Sequence, residues 1–170
     1  MSVRVSIVFR FLAAALICSS VGAGPVRADN DQVKKELEDA YARRDKAFRD
    51  KAFDLIKSMW TADYKEKTKE GVVLDRSQVD PETAQLLRLL KDIKILLTTV
   101  DKVTEGKEKD EFVVDATSKG DFTLAGGDGN IHEVMASAKV RDIWVKTADG
   151  WKLKFHEELE STTLLDGKPV

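Results

Sequence analysis

Little in this chain invites metal or thiol chemistry. It holds one cysteine, Cys18, and two histidines, His132 and His156. Cys18 lies in a leader expected to be removed, which leaves the mature chain without a disulfide, a cysteine-ligated metal or a thiol nucleophile. The histidines are far apart and show neither His-x-His nor His-x-x-x-His spacing, so no metal site and no cofactor are expected. Gly126-Gly127-Asp128-Gly129 is rich in glycine, but no helix start follows it, so it reads as a hairpin tip and not as a phosphate-binding loop. No strand-turn-helix nucleophile elbow supports a Ser-His-Asp arrangement. Internal repeats and low-complexity tracts are also missing.

The one long apolar run sits near the start. Arg4 and Arg10 precede Phe11 to Val21, and Val26-Arg27-Ala28 follows with small residues where a signal peptidase reads. Residues 1–28 therefore read as a secretory signal peptide, and 29–170 as a single domain, secreted or periplasmic. The run is short for a membrane anchor. A lipidation site at Cys18 would want a small residue before it, where Ile17 stands. Removal of residues 1–28 takes away Arg4, Arg10 and Arg27 and no acid. Lys plus Arg falls from 28 to 25 against 30 acids, and the net charge moves from −2 to about −5. Such a chain is not expected to bind nucleic acid, and no stable membrane span is expected after cleavage.

The mature part begins helical. Asn30 or Asp31 caps a start, and Val33, Leu37, Ala40, Tyr41, Ala47, Phe48, Ala52, Leu55, Ile56 and Met59 recur at spacings of three and four. Lys34, Lys35, Glu36, Glu38, Asp39, Arg43 and Arg44 fall on the solvated side. A break near Arg49 to Lys51 divides the pattern. Trp60, Ala62 and Tyr64 then alternate, and Gly71 with Val72-Val73-Leu74 predicts a short strand pair. Asp80-Pro81-Glu82 reads as the opening of another helix, with Asp80 as its cap. From Ile93 the chain is β-rich: Ile93 to Thr104, then Phe112 to Thr117, continued by Phe122 to Ala125.

The chain is organised around Ile131 to Ser161, two long alternating arms about Thr147-Ala148-Asp149-Gly150. Two registers are open. With Asp149-Gly150 as the loop, Trp144 faces Phe155 and Asp142 faces Glu157, which opposes two carboxylates. With Ala148-Asp149-Gly150 as the loop, Ile143 faces Phe155, Arg141 faces Glu157 and Asp142 faces His156. The second pairs opposite charges and is preferred. In either one Asp142 shares its phase with Val134, Ala136, Ala138, Val140 and Trp144, a carboxylate on an apolar face. The alternative for Asp142 is a solvated rim acid, and for His156 a surface residue between Lys154 and Glu158.

The order of elements, helices then four long strands, is that of an α+β fold. On Ala40-Tyr41-Ala42-Arg43-Arg44-Asp45-Lys46-Ala47-Phe48, Trp60-Thr61-Ala62-Asp63-Tyr64, Arg141-Asp142-Ile143-Trp144-Val145-Lys146 and Asp149-Gly150-Trp151-Lys152-Leu153, the chain resembles a nuclear transport factor 2-like domain of the SnoaL-like, ketosteroid-isomerase-like type. The resemblance spans most of Asp31 to Ser161. It implies a cone-shaped, curved antiparallel sheet wrapped around the N-terminal helices, with a cavity at the open end. Members of the family include isomerases, cyclases, dehydratases and non-enzymatic binding or assembly domains, so the fold implies a pocket and no particular reaction. Related domains often carry histidine on the last strand where this chain has Phe155 and Glu157.

Trp60, Tyr64, Asp142, Trp144 and His156 are the candidate ligand-binding residues. The first expectation is a pocket for a small apolar molecule without turnover. The alternative is an acid–base enzyme of isomerase or dehydratase type, in which Asp142 moves the proton and Tyr64 polarises an oxygen. A third reading is a dimerisation module, a homodimer through the outer sheet face where Met135, Ile143 and Val145 fall. The exported protein should begin near Asp29 by mass spectrometry and scatter light as a dimer at micromolar concentration. An intact Met1 would refute the cleavage, and a monomer at every concentration the dimer.

Overall fold

The computed structural model describes residues 27–170, so Cys18 and all but the last two residues of the expected signal peptide, 1–28, lie outside the described residues. Helix α1 spans Arg27–Arg49, and Leu37, Ala40 and Tyr41 on its apolar stripe are fully buried. The predicted break is real. Lys51 takes a left-handed φ of 53°, the Ala52 N–H closes onto the Ala47 carbonyl at 2.9 Å, and a short helix α2, Phe53–Ser58, follows. The alternating segment becomes strand β1, Trp60–Lys67, paired antiparallel with β2, Val73–Asp75.

The middle helix starts earlier than its Asp-Pro-Glu signal implies. Helix α3 spans Arg76–Leu89 and is capped by Asp75, not Asp80. Asp75 Oδ1 accepts the Ser77 N–H at 2.9 Å, and Gln78 Oε1 accepts the Asp75 N–H at 3.2 Å. This reciprocal box satisfies two backbone donors at the helix start, which outweighs the cost of carrying Pro81 inside the helix. Asp80 instead lies one turn on, 3.5 Å from Arg76.

Four long strands complete the chain: β3 Leu90–Glu105, β4 Glu111–Ala125, β5 Ile131–Thr147 and β6 Gly150–Leu165, with a two-residue β7, Lys168–Pro169, on β6. The sheet order is β2-β1-β6-β5-β4-β3. This overturns the expected cone of antiparallel strands wrapped around the helices. The sheet is mixed, because β1 runs parallel to β6, and it is not closed, because β2 and β3 end it on opposite sides and do not pair. The physical reason lies at β3. Its free edge is satisfied by side chains from the end of α1 and just beyond: Asp45 Oδ2 accepts the Thr98 N–H at 2.8 Å, and Arg49 and Lys51 donate to the Leu96 and Leu90 carbonyls. An edge covered in this way has no need of a further strand.

Neither predicted hairpin register holds along the whole of β5 and β6. Beside the turn, Thr147 pairs with Gly150 and Trp144 with Leu153, so the loop is Ala148-Asp149. Gly150, at φ 102°, occupies backbone space that suits glycine. One extra residue on β6, Lys154, then shifts the pairing. Ile143 faces Phe155, Asp142 faces His156 and Arg141 faces Glu157, as in the preferred register. A second extra residue, Leu159, falls between the pairs Val140–Glu158 and Lys139–Glu160. Each bulge exchanges the faces of the strand beyond it. Leu153, His156, Glu158 and Thr163 thus all point into the core. On the other face Met135 is 47% exposed, and Ile143 and Val145 are half-buried.

The cap assignment is directly testable. Asp75→Ala should cost about 1 kcal/mol in urea denaturation. Asp80→Ala should cost less, since it removes only a partly solvated ion pair. The reverse order would return the cap to Asp80.

Candidate functional site

Asp142 is fully buried on the inner face of β5, among Val134, Ala138, Val140 and Trp144. A carboxylate there must be paired. Tyr41 Oη donates to Asp142 Oδ2 at 2.6 Å, and His156 Nδ1 lies 2.7 Å from Oδ1. Arg44 Nη1 stands 3.8 Å from Oδ2. The same guanidinium donates through Nη2 to Thr98 Oγ1 at 2.9 Å, and its centre is 4.8 Å from the centroid of the Tyr41 ring. Three elements, α1, β5 and β6, therefore meet on one carboxylate.

Local structure explains each arrival. Tyr41 and Arg44 are three residues apart on α1 and share a helix face. Asp45 comes with them and turns to the β3 edge. His156 reaches the core only because Lys154 is extra. With a regular strand running on from Leu153, Phe155 and Glu157 would point inward, and His156 would lie outside.

Electrostatics fix the protonation states. Burial acts to lower the His156 pKa, but the Asp142 charge and its hydrogen bond, with Glu66 adding to them, hold it above the ordinary imidazole value against a smaller opposing effect of Arg44. His156 then donates through Nδ1 to Asp142. Burial, with the Asp142 charge, pushes the Tyr41 phenol well above its usual range, so it remains a donor. Tyr64 is raised well above its usual range as well, by burial first and then by Glu66 and Asp142.

Beside this cluster lies a cavity of about 70 Å³, walled by Phe48, Trp60, Tyr64, Leu90, Phe122 and His156 among others, with Arg44, Asp45 and Ser118 as further polar walls. Trp60 and Tyr64 form one stacked wall, ring centroids 4.7 Å apart and planes 7° from parallel. Buried His156 Nε2 has no hydrogen-bond partner. The five sequence candidates are thus divided. Trp60, Tyr64 and His156 line the cavity. Asp142 sits behind His156, and Trp144 packs edge-on against Tyr41 at 5.1 Å, outside the lining. His156 is 5% exposed, not the surface residue of the alternative reading. His132 lies apart, between Asp166 and Asp128 at 2.8 and 3.2 Å. Among the described residues, no group of three or more His, Cys, Asp or Glu is placed to hold a metal ion.

Two members of the site were not anticipated. Tyr41 reads in sequence as one more apolar position, and Arg44 as part of the solvated face. Arg44 is a correction: its side chain is 14% exposed. The available signal was the Tyr41-x-x-Arg44-Asp45 spacing, which sets three polar-tipped residues on or beside the apolar stripe.

The raised His156 pKa has a definite consequence for stability. Its stabilising contribution is fully present below the unfolded value of about 6.5, and is lost as pH rises through the higher folded value. Denaturation of the wild type and His156→Gln should therefore differ most at mildly acid pH and converge through that window. A difference independent of pH across it would show that His156 carries no folded-state shift.

No protein-family model and no curated protein matches the sequence significantly. Solved structures do match in shape. A protein from Streptomyces avermitilis, provisionally named a dehydratase of the nuclear transport factor 2-like family, aligns with a TM-score of 0.52 at 16% identity, over 82% of this chain and 97% of its own. Two proteins from Novosphingobium aromaticivorans align with TM-scores of 0.60. One, provisionally named a scytalone dehydratase, is 11% identical over 81% of this chain and 90% of its own. The other, provisionally named an aromatic ring hydroxylase, is 14% identical over 76% of this chain and 90% of its own. At such identities the likeness is one of fold alone, and it agrees with the resemblance read from the sequence: over most of its length, this chain has the nuclear transport factor 2-like fold.

Proposed function

We propose that the protein is an acid–base enzyme of isomerase or dehydratase type, acting on a small, largely apolar molecule that carries an acceptor oxygen. The observation that carries this reading is the buried Asp142–His156 pair: His156 lines an apolar cavity, and its outer nitrogen, Nε2, is buried without a hydrogen-bond partner. A binding pocket without turnover needs no such pair, and burying charge for packing alone is costly. Catalysis accordingly stands ahead of the binding-only expectation. The provisional dehydratase names of two proteins of the same fold point the same way.

The roles follow from position. His156, not Asp142, moves the proton, because His156 lines the cavity and Asp142 lies behind it. Asp142 fixes the ring by accepting Nδ1–H and stabilises the imidazolium. Tyr41 and Arg44 hold the Asp142 carboxyl in place. The Tyr64 hydroxyl, kept protonated by burial, stands in the same wall as a second donor to a ligand oxygen. Trp60 backs it with a flat apolar surface that suits a ring.

Solvent-deuterium exchange into the α-carbon of small aryl and cyclic ketones, followed by NMR, tests the reading. Wild type should exchange at least one member of such a panel, and His156→Gln should slow it by about 10²–10⁴-fold. Equal rates for the two proteins across the panel would sink the catalytic reading and favour plain binding.

A further inference from the structure

One buried acid has no part in the scheme above. Glu66, on β1, is 2% exposed, and its partner in the parallel β1–β6 pairing is His156. His156 in turn faces Asp142 on β5, and Asp142 faces Val114 on β4. Glu66, His156, Asp142 and Val114 therefore form one row across four strands, all inside the core. Adjacent strands lie about 4.8 Å apart, so the imidazole is flanked on both sides by carboxylate-bearing neighbours.

We propose that Glu66 is a positioning residue of the site, a second carboxylate that flanks His156 opposite Asp142 and holds the imidazole in its cationic, proton-donating form. The argument is one of charge in a dry core. Asp45, Asp142 and Glu66 are buried acids, and the Arg44 guanidinium stands beside two of them, 3.4 Å from Asp45 and 3.8 Å from Asp142. A proton on His156 brings this cluster closer to neutrality, and a neutral imidazole leaves it further away. The other titratable groups around the ring do not reverse the sign. Tyr41 on α1 and Tyr64 on β1 keep their protons, and Glu158 on β6 is raised by burial above the usual carboxylate range, against smaller lowering effects of Ser161, His156 and Lys69. Glu66 itself acts on His156 in the raising direction. The inference rests on the acid–base reading for its consequence: His156 begins the reaction as the acid, giving its Nε2 proton to a ligand oxygen, and is restored by taking the proton lost from the adjacent α-carbon.

The test is an NMR titration of the full chain labelled with ¹⁵N-histidine, with His132→Gln to assign the two rings. The His156 midpoint should lie above about 6.5 in wild type and fall by about one pH unit or more in Glu66→Gln, with a smaller change in Glu158→Gln. A merely structural role for Glu66 would not move this midpoint. An unchanged midpoint in folded Glu66→Gln overturns the proposal, as does a wild-type midpoint at or below about 6.5. Should Glu66→Gln fail to fold, Glu66→Met fills the same space without charge and gives the same comparison. The readout is the ring and not turnover. Loss of the shift therefore refutes Glu66's role and leaves the enzyme reading standing. A shifted ring whose replacement leaves deuterium exchange untouched refutes the enzyme reading alone.

Discussion

The buried carboxylate of Asp142 is the constraint to which much of the structure answers. An ionised oxygen pair without water costs several kcal/mol unless other groups replace its solvation. Here a phenol from α1, an imidazole from β6 and a guanidinium from α1 replace it. The helix must sit where Tyr41 can reach 2.6 Å, and β6 must present His156 and not Phe155 at that level. Both demands act on positions far apart in sequence, so the cluster specifies how α1 lies on the sheet more sharply than apolar packing would.

Much of this was readable in the residues. Alternation placed Asp142 on the inner face with Trp144, and pairing of opposite charges selected the Asp142–His156 register. The three-and-four spacing found α1, and its break was correctly placed. What could not be read shares a cause. The Lys154 and Leu159 bulges have no local signature, and they decide which faces of β6 are buried. The parallel placement of β1 against β6 joins segments some 90 residues apart, and the open mixed sheet follows from it. Arg44 was lost among neighbouring charges, because a helical pattern marks apolar residues and passes over a buried cation. At Asp75 the competing signal from Pro81 was more conspicuous than the true capping box.

The site divides into a cavity-facing half and a dry half packed in the core. His156 belongs to both: Nδ1 is held by Asp142, and the residue lines the cavity. Trp144 belongs to the dry half, packed edge-on against Tyr41, and Trp60 with Tyr64 to the other. Asp142 and Tyr41 stay outside the cavity lining, while Arg44, Asp45 and His156 belong both to the charge cluster and to the wall. Changes at the apolar walls Phe48, Leu90 and Phe122 are free to alter what fits without touching a charge.

The side chains that cover the β3 edge carry a second burden. Asp45 both accepts the Thr98 amide and walls the cavity, and Leu90 and Leu96, whose carbonyls are held by Lys51 and Arg49, line the same space. A molecule large enough to lever the end of α1 outward would uncover a long row of strand amides and carbonyls in the same movement. Breathing of the pocket and stickiness of the protein toward other strands are thus set by one set of bonds. Ligands that demand a wider cavity would be accommodated only as far as the chain tolerates a bare β-edge.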